Sequence, residues 1–207
     1  MCSKDNSLKS TRSLIISLQE ELEFLQEKMY NLQTKNKELE KLSITDSLTG
    51  LYNQRHFHKM LIEIVHRYKS LRKPLYLLFF DVDNLKSYND TYGHSGGDEV
   101  LIKTAECLII SMKNIHGTAY RCGGDEFAAI LPSASKEDTI DIARSISKNL
   151  KKSKFKQVSL SFGIAGFTPD MSYDTLFKHA DDAMYMAKNG RTIDSDPSSS
   201  YKIYIYD

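Results

Sequence analysis

Two short acidic segments carry the chemistry this chain can do. Phe79-Phe80-Asp81-Val82-Asp83 ends an apolar run, and Arg121-Cys122-Gly123-Gly124-Asp125-Glu126-Phe127 follows about forty residues later. Each reads as a strand with carboxylates at its end, beside a turn where backbone can approach a ligand closely. Brought to one edge of a sheet, such carboxylates make a site for a hard divalent cation and the phosphates of a nucleoside triphosphate. Leu77-Leu78-Phe79-Phe80 is apolar enough for a central strand, so Asp81 and Asp83 emerge at its end. They share a face, because successive strand side chains alternate. Asp83 has a second reading, as a cap for the free N–H groups of the next helix. Asp125 and Glu126 follow glycines that put no side chain in the way of a phosphate. A Gly-Gly turn alone is a weak signal, but two acids and an apolar strand behind it make it a strong one. The chemistry indicated is phosphoryl transfer.

Positioning these groups takes strands covered by helices, and the rest of the pattern supplies both. A helix is predicted over Gln54–Lys73, with Pro74 marking the break before a strand at Leu75–Val82. Helical stretches at Asn84–Tyr92 and Gly97–Lys113 precede strands at Ala119–Cys122 and Glu126–Leu131. Gly123-Gly124 between these strands reads as a tight hairpin, since paired glycines tolerate positive φ. A helix at Lys136–Lys152 leads to a strand at Gln157–Ala165, whose Val158, Leu160 and Phe162 suggest one buried face. A helix at Tyr173–Lys188, a polar linker at Asp194–Ser200 and a closing edge strand at Tyr201–Tyr206 complete the order. Strands interleaved with helices plus one hairpin indicate an α/β fold, a mixed sheet flanked by helices.

Composition excludes several classes. The 207 residues have a formal net charge of +1, with 41% hydrophobic and 27% charged residues, as in an ordinary globular protein. No apolar run approaches the roughly 18 residues of a spanning helix, so no membrane segment is expected. Met1–Asn6 is polar and lacks a signal peptide's apolar core. Cys2, Cys107 and Cys122 form neither a disulfide framework nor a zinc site, and a reducing cytoplasm is the simplest setting. The near-neutral charge gives no argument for nucleic acid, and the Lys148–Lys156 cluster reads as a solvated helix end.

Residues from Leu8 to about Leu42 keep a seven-residue rhythm. Leu8, Ile15, Leu22, Met29 and Asn36 fall at one register position; Thr11, Leu18, Leu25, Leu32 and Leu39 fall at the other. This is the a/d pattern of a coiled coil with leucine dominant at d. Asn36 at an a position favours a parallel two-stranded coil at a cost in stability. The plainer alternative is one long helix packed on its own domain. The expectation is a homodimer through this coil. Ser43–Gly50 reads as the joint, with Asp46 suited to cap a turn and Gly50 to free the backbone. Two parts result: 1–44, a dimerisation helix, and 45–207, a catalytic domain.

In order along the chain stand Asp46-Ser-Leu-Thr-Gly-Leu-Tyr-Asn53, Phe80-Asp-Val-Asp-Asn-Leu-Lys86, Asn89-Asp-Thr-Tyr-Gly-His94, Gly96-Gly-Asp98, Arg121-Cys-Gly-Gly-Asp-Glu-Phe127 and Ser161-Phe-Gly-Ile164. With these motifs the segment from about Asp46 to Arg191 resembles GGDEF-domain diguanylate cyclases, which condense two GTP molecules into cyclic di-GMP. The resemblance implies a palm-like, mostly antiparallel mixed sheet. It implies that Asp81 and Asp125, with the Val82 carbonyl, hold Mg²⁺, or Mn²⁺ in its place. Glu126 matches the residue proposed as base for the attacking 3′-hydroxyl, or else holds a second metal. Lys86 falls where a cation meets phosphate charge. Asn89 and Asp98 match the guanine readers: an ionised aspartate accepts from guanine N–H groups that adenine does not offer. His94 either touches substrate or is a packed or capping histidine. Lys188 and Arg191 match the phosphate-binding pair near the C-terminus. Each domain would hold one GTP and two would face each other, so the coil would raise the concentration of one half-site near the other.

Three positions depart from the family. Asn114-Ile115-His116-Gly117 stands where many relatives carry an Arg-x-x-Asp product-binding motif, so feedback inhibition through that site is expected to be absent. Asn53-Gln54 replaces the usual Asn-Arg, leaving Arg55 as a substitute for a structural ion pair. Lys188 and Arg191 are one residue closer than in relatives: either both share one helical face or Gly190 ends the helix first. The expected function is synthesis of cyclic di-GMP from GTP in the cytoplasm, with room for a sensory domain upstream. The alternatives are a silent GTP-binding module and a cyclase making another purine product.

Overall fold

The computed structural model describes residues 18–35, 39, 44–155, 157–196 and 201–206. The chain divides into two units, with the break between Ser43 and Ile44. In the first, helix α1 covers residues 18–35. Its heptad side chains Leu18, Leu22, Leu25, Met29 and Leu32 are each more than half exposed. Asn36, with Leu8, Thr11 and Ile15, lies outside the described residues.

The second unit runs β1 (Tyr52–Asn53), α2 (Gln54–Leu71), β2 (Leu75–Val82), α3 (Leu85–Ser111), β3 (Thr118–Arg121), β4 (Glu126–Pro132), α4 (Lys136–Lys151), β5 (Leu160–Gly166), α5 (Tyr173–Lys188), β6 (Asp194–Asp196) and β7 (Tyr201–Tyr206). The strands form one sheet in the order β1-β3-β4-β2-β5-β7-β6. The β3-β4-β2-β5 centre is antiparallel, while β1 joins β3 and β7 joins β5 in parallel. Helices cover both faces, so the central strands are apolar runs without alternation. Side chains of β2 split between two cores. Phe80 packs with Phe127 and Phe162 against α3 and α4. Phe79 packs with Phe57, Tyr120 and Leu176 against α2 and α5.

Local signals set the helix ends. Asn53 accepts from His56 N–H to cap α2, Ser135 and Asp138 form a capping box on α4, and Ser172 caps α5. Arg72, in the left-handed conformation, stops α2 at Leu71, ahead of Pro74. At Gly163 a Cβ would lie 2.1 Å from the Ala180 carbonyl oxygen and 2.3 Å from the Met184 nitrogen, so α5 rests directly on β5 backbone.

The two predicted helical stretches of α3 meet at a kink, Gly93, where φ is 79°. Three expectations change. The strand predicted from Gln157 to Ala165 begins only at Leu160 and is buried on both faces, because α5 covers the side opposite Phe162. Tyr201–Tyr206 is not an edge, since Asp194–Asp196, read as linker, pairs on its outer side as β6. Gly123 and Gly124 are not among the glycines with positive φ. At Gly123 a Cβ would stand 2.4 Å from Glu126 Oε2, so a side chain there would displace the Glu126 carboxylate.

Candidate active site

The β2–β4 register builds the site. Asp81 is opposite Glu126 on β4 and Ser161 on β5, and the Val82 N–H donates to the Asp125 carbonyl at 3.0 Å. Asp81, Val82, Asp125 and Glu126 therefore meet where the two central strands end. Asp81 is buried, with 3% of its surface exposed. Lys188 Nζ donates to its Oδ2 at 2.8 Å, while Oδ1 has no hydrogen-bond partner. Burial pushes the Asp81 carboxyl up to about 6; Lys188 pulls it back, and the charges of Asp125 and Asp83 add to the rise. Burial, then Asp125 and Asp181, raise Glu126 as well. Desolvation leads in both shifts and neighbouring carboxylates add to it, so positive charge placed here would favour the ionised forms.

The chemistry of this donor set fits a divalent cation. A buried carboxylate oxygen without a partner is costly, and a hard cation that takes oxygen ligands would satisfy it. Asp81, Asp125 and the Val82 carbonyl fit such an ion, with its remaining positions left to water or phosphate. Among the described residues no three His, Cys, Asp or Glu side chains are gathered as a metal cluster, and the set named here is two carboxylates and one backbone carbonyl.

The glycine turn is held from behind. Arg121 Nη2 donates to the Gly124 carbonyl at 2.7 Å and Nη1 to Asp46 Oδ1 at 3.0 Å. Asp46 also accepts from the Thr49 N–H and hydroxyl. Burial pushes Asp46 up, but the bonds from Thr49 and Arg121 outweigh it and hold its carboxyl below the usual range. Cys122 and Gly123 N–H groups both reach the Glu126 carbonyl. Gly124 has nothing within 4 Å of a notional Cβ, so its outer side is open to a ligand.

The remaining residues predicted for the site distribute along α3 and α5. Asn89 Oδ1 is buried without a partner and lies 1.8 Å from where a Gly97 Cβ would be. The Gly93 kink thus folds Asn89 against Gly97, bringing it to the neighbour of Asp98, which is exposed. Lys86, in the first turn of α3, and His94, just past the kink, are exposed. Asp83 does not cap α3: it accepts from Ser159 and Ser161 hydroxyls at 2.7 and 2.8 Å. The helix cap position is Asn84, in the left-handed conformation. Helix α5 ends at Lys188 in a Schellman motif, with Gly190 N–H on Ala187 O and Arg191 N–H on Met186 O. Lys188 and Arg191 therefore do not share a helical face. Arg191 Nη1 rests on Met186 Sδ, and Lys188 turns to Asp81. Arg55 is exposed, and the ion pair behind the turn is Arg121–Asp46.

Sequence reasoning missed three contributors. Asp46 as partner of Arg121 had its motif in view, but the pairing spans 75 residues. The serines that hold Asp83 lie across the sheet, and Asp181 enters from α5 to influence Glu126. A lone sequence carries no signal for such contacts.

Comparison with known proteins identifies the family and the fold. Residues 43–192 match the family model described as "Diguanylate cyclase, GGDEF domain". Diguanylate cyclase DosC of Shigella sonnei is 36% identical over 152 residues, covering 69% of this chain and 32% of that protein. Diguanylate cyclase DgcM of Escherichia coli is 35% identical over 155 residues, covering 73% of this chain and 38% of that protein. The chain thus spans about a third of these curated relatives' length. The coiled coil and GGDEF domain of DgcB from Caulobacter crescentus, solved with c-di-GMP, superposes with a TM-score of 0.78 over 90% of this chain and 98% of that one, at 24% identity. With the sheet, the carboxylate pair and the glycine turn in these places, this chain belongs to the GGDEF-domain diguanylate cyclase family.

Proposed function

We propose that this chain condenses two GTP molecules into cyclic di-GMP and two pyrophosphates, as a parallel homodimer with one GTP per subunit. The observation that carries the reading is the partnerless Oδ1 of buried Asp81, beside Asp125 at the open end of β2 and β4. Asp81, Asp125 and the Val82 carbonyl hold a divalent cation, Mg²⁺ or Mn²⁺. When bound, that ion neutralises phosphate charge and polarises the reacting phosphoryl group. Glu126, whose carboxyl is raised by burial and by Asp125, is a stronger base than an ordinary carboxylate and is suited to take a proton. It accepts the proton of one GTP's 3′-hydroxyl as that oxygen bonds to the α-phosphorus of the partner's GTP. The bond from that phosphorus to the pyrophosphate oxygen breaks, and the same exchange in the other direction closes the ring. Lys86, Lys188 and Arg191 meet phosphate charge. Asn89 and Asp98, joined by the α3 kink, read guanine, with His94 at the rim.

The exposed apolar side chains of α1 support a partner helix of the same kind. The absence of the Arg-x-x-Asp pattern at Asn114–Gly117 supports synthesis without product feedback at that site. No helix among the described residues is long and apolar enough to cross a membrane, and a cytoplasmic setting, where GTP is available, suits the reaction. Incubation with GTP and Mg²⁺ followed by chromatography tests the reading. Cyclic di-GMP with pyrophosphate supports it; bound but unreacted GTP, or adenine-containing rings formed when ATP is added, contradicts it. Asp125→Ala should lower turnover at least about 100-fold while sedimentation shows the same dimer. Turnover that survives would remove Asp125 from the metal site.

A further inference from the structure

Lys188 is tied to the carboxylate that the reading above gives to the cation. Its Nζ holds Asp81 Oδ2 at 2.8 Å, and the partnerless oxygen belongs to the same carboxylate. The Asp81 side chain is 4% exposed and that of Lys188 38%, so the lysine reaches in from solvent. Its ammonium also feels Asp83 and Asp125, and its charge is felt at Glu126 and Asp181. One mobile cation thus serves a nest of acids. A buried carboxylate needs an opposite charge, and a lysine on a flexible four-carbon stem is a point charge that can supply it and leave. Lys188 is also the last helical residue of α5, before the turn at Gly190, so a swing of its stem disturbs little packing.

We propose that Lys188 is the internal counter-ion of Asp81, competing with the divalent cation until a triphosphate draws the ammonium away. Resting on the cyclase reading for its ligand set, this adds an order of events. Metal alone is held weakly, because binding it means displacing Lys188 with no anion to receive the charge. Metal with nucleotide is held well, because the phosphates take the lysine as the cation takes Asp81. Below saturating metal, the site then stays unloaded until substrate arrives.

Mn²⁺ binding to the full chain, followed by electron paramagnetic resonance without nucleotide, tests this. Lys188→Gln should bind Mn²⁺ about tenfold more tightly than wild type, and Lys188→Arg should stay near wild type. With an α,β-methylene GTP analogue the order reverses, wild type binding the metal–nucleotide pair more tightly than Lys188→Gln. Equal Mn²⁺ affinity of wild type and Lys188→Gln without nucleotide overturns the counter-ion role and leaves the metal site standing. No Mn²⁺ binding by either protein, even with the analogue, overturns the cyclase site itself. A second measurement needs no variant: reductive methylation of Lys188 in the wild-type chain, read by peptide mass spectrometry. Saturating Mn²⁺ alone should raise the modification of Lys188, and the analogue should lower it again. Modification that ignores Mn²⁺ overturns the proposal.

Discussion

Asp81 shows how a single residue's position sets the behaviour of the site. An apolar strand carries it into the protein interior, and only one of its oxygens is paired. Because burial raises its carboxyl from an ordinary 3.8 to about 6, the folded chain keeps a proton between about pH 4 and 6 that the unfolded chain has released. Metal-free stability should therefore fall as pH rises through that window and return as pH drops. Glu126 and Asp181 shift the same way, and Asp46 the opposite way. A shift near two units is worth at most about 3 kcal/mol. Urea unfolding from about pH 4.5 to 7, without metal, should show Asp81→Asn with a flatter slope than wild type; identical slopes would contradict the assignment. The glycine pair makes a second prediction. Gly123→Ala puts a methyl group on the Glu126 carboxylate, so turnover should fall on the order of 100-fold with the fold intact by circular dichroism. Gly124→Ala meets no protein atom and should be milder in the fold and in Glu126. Equal losses of turnover would show that the open side of Gly124 is where the phosphates lie.

Among the elements, α5 and the β2–β5 centre decide how tightly the site is framed. At Gly163 the obstacle to a side chain is the backbone of α5, which cannot rotate away. Gly163→Ala should cost about 3 kcal/mol, read as a lower urea midpoint, and a midpoint equal to wild type would mean that α5 can lift. The kink in α3 acts at the same scale. Gly93 at φ 79° sets the bend between the two predicted helices, and that bend seats Asn89 on Gly97. The end of α5 works in the same way, since the Schellman turn separates Arg191 from the Lys188 face.

For the whole molecule, the proposed reciprocal reaction requires two half-sites to meet. The heptad residues of α1 are more than half exposed in the single chain, an arrangement that soluble helices normally cover. If the coil supplies the second half-site, removing residues before Ser43 should make turnover depend steeply on protein concentration. Linked sites sit at effective concentrations near the millimolar range, so the shortened protein should lose about tenfold or more at micromolar concentration and regain activity as it is concentrated. Activity per subunit that matched the full chain at every concentration would remove the coil from catalysis. The same samples in sedimentation report the assembly directly.

The acidic motifs, the glycine pair, the order of most strands and helices and the heptad rhythm were legible in the sequence, because each is a local pattern with a local cause. Tertiary structure alone decided the pairings. Lys188 on Asp81, Arg121 on Asp46, and Ser159 and Ser161 on Asp83 join residues far apart in the chain. The contact at Gly123 was equally hidden, since it is made by a carboxylate folded over the turn. So was the second buried face of β5, which exists because a helix encoded later in the chain covers it. Side-chain period and turn chemistry act over a few residues and can be read in order. Which charge neutralises which, and which methyl group would collide, depends on three-dimensional closeness that the sequence order does not contain.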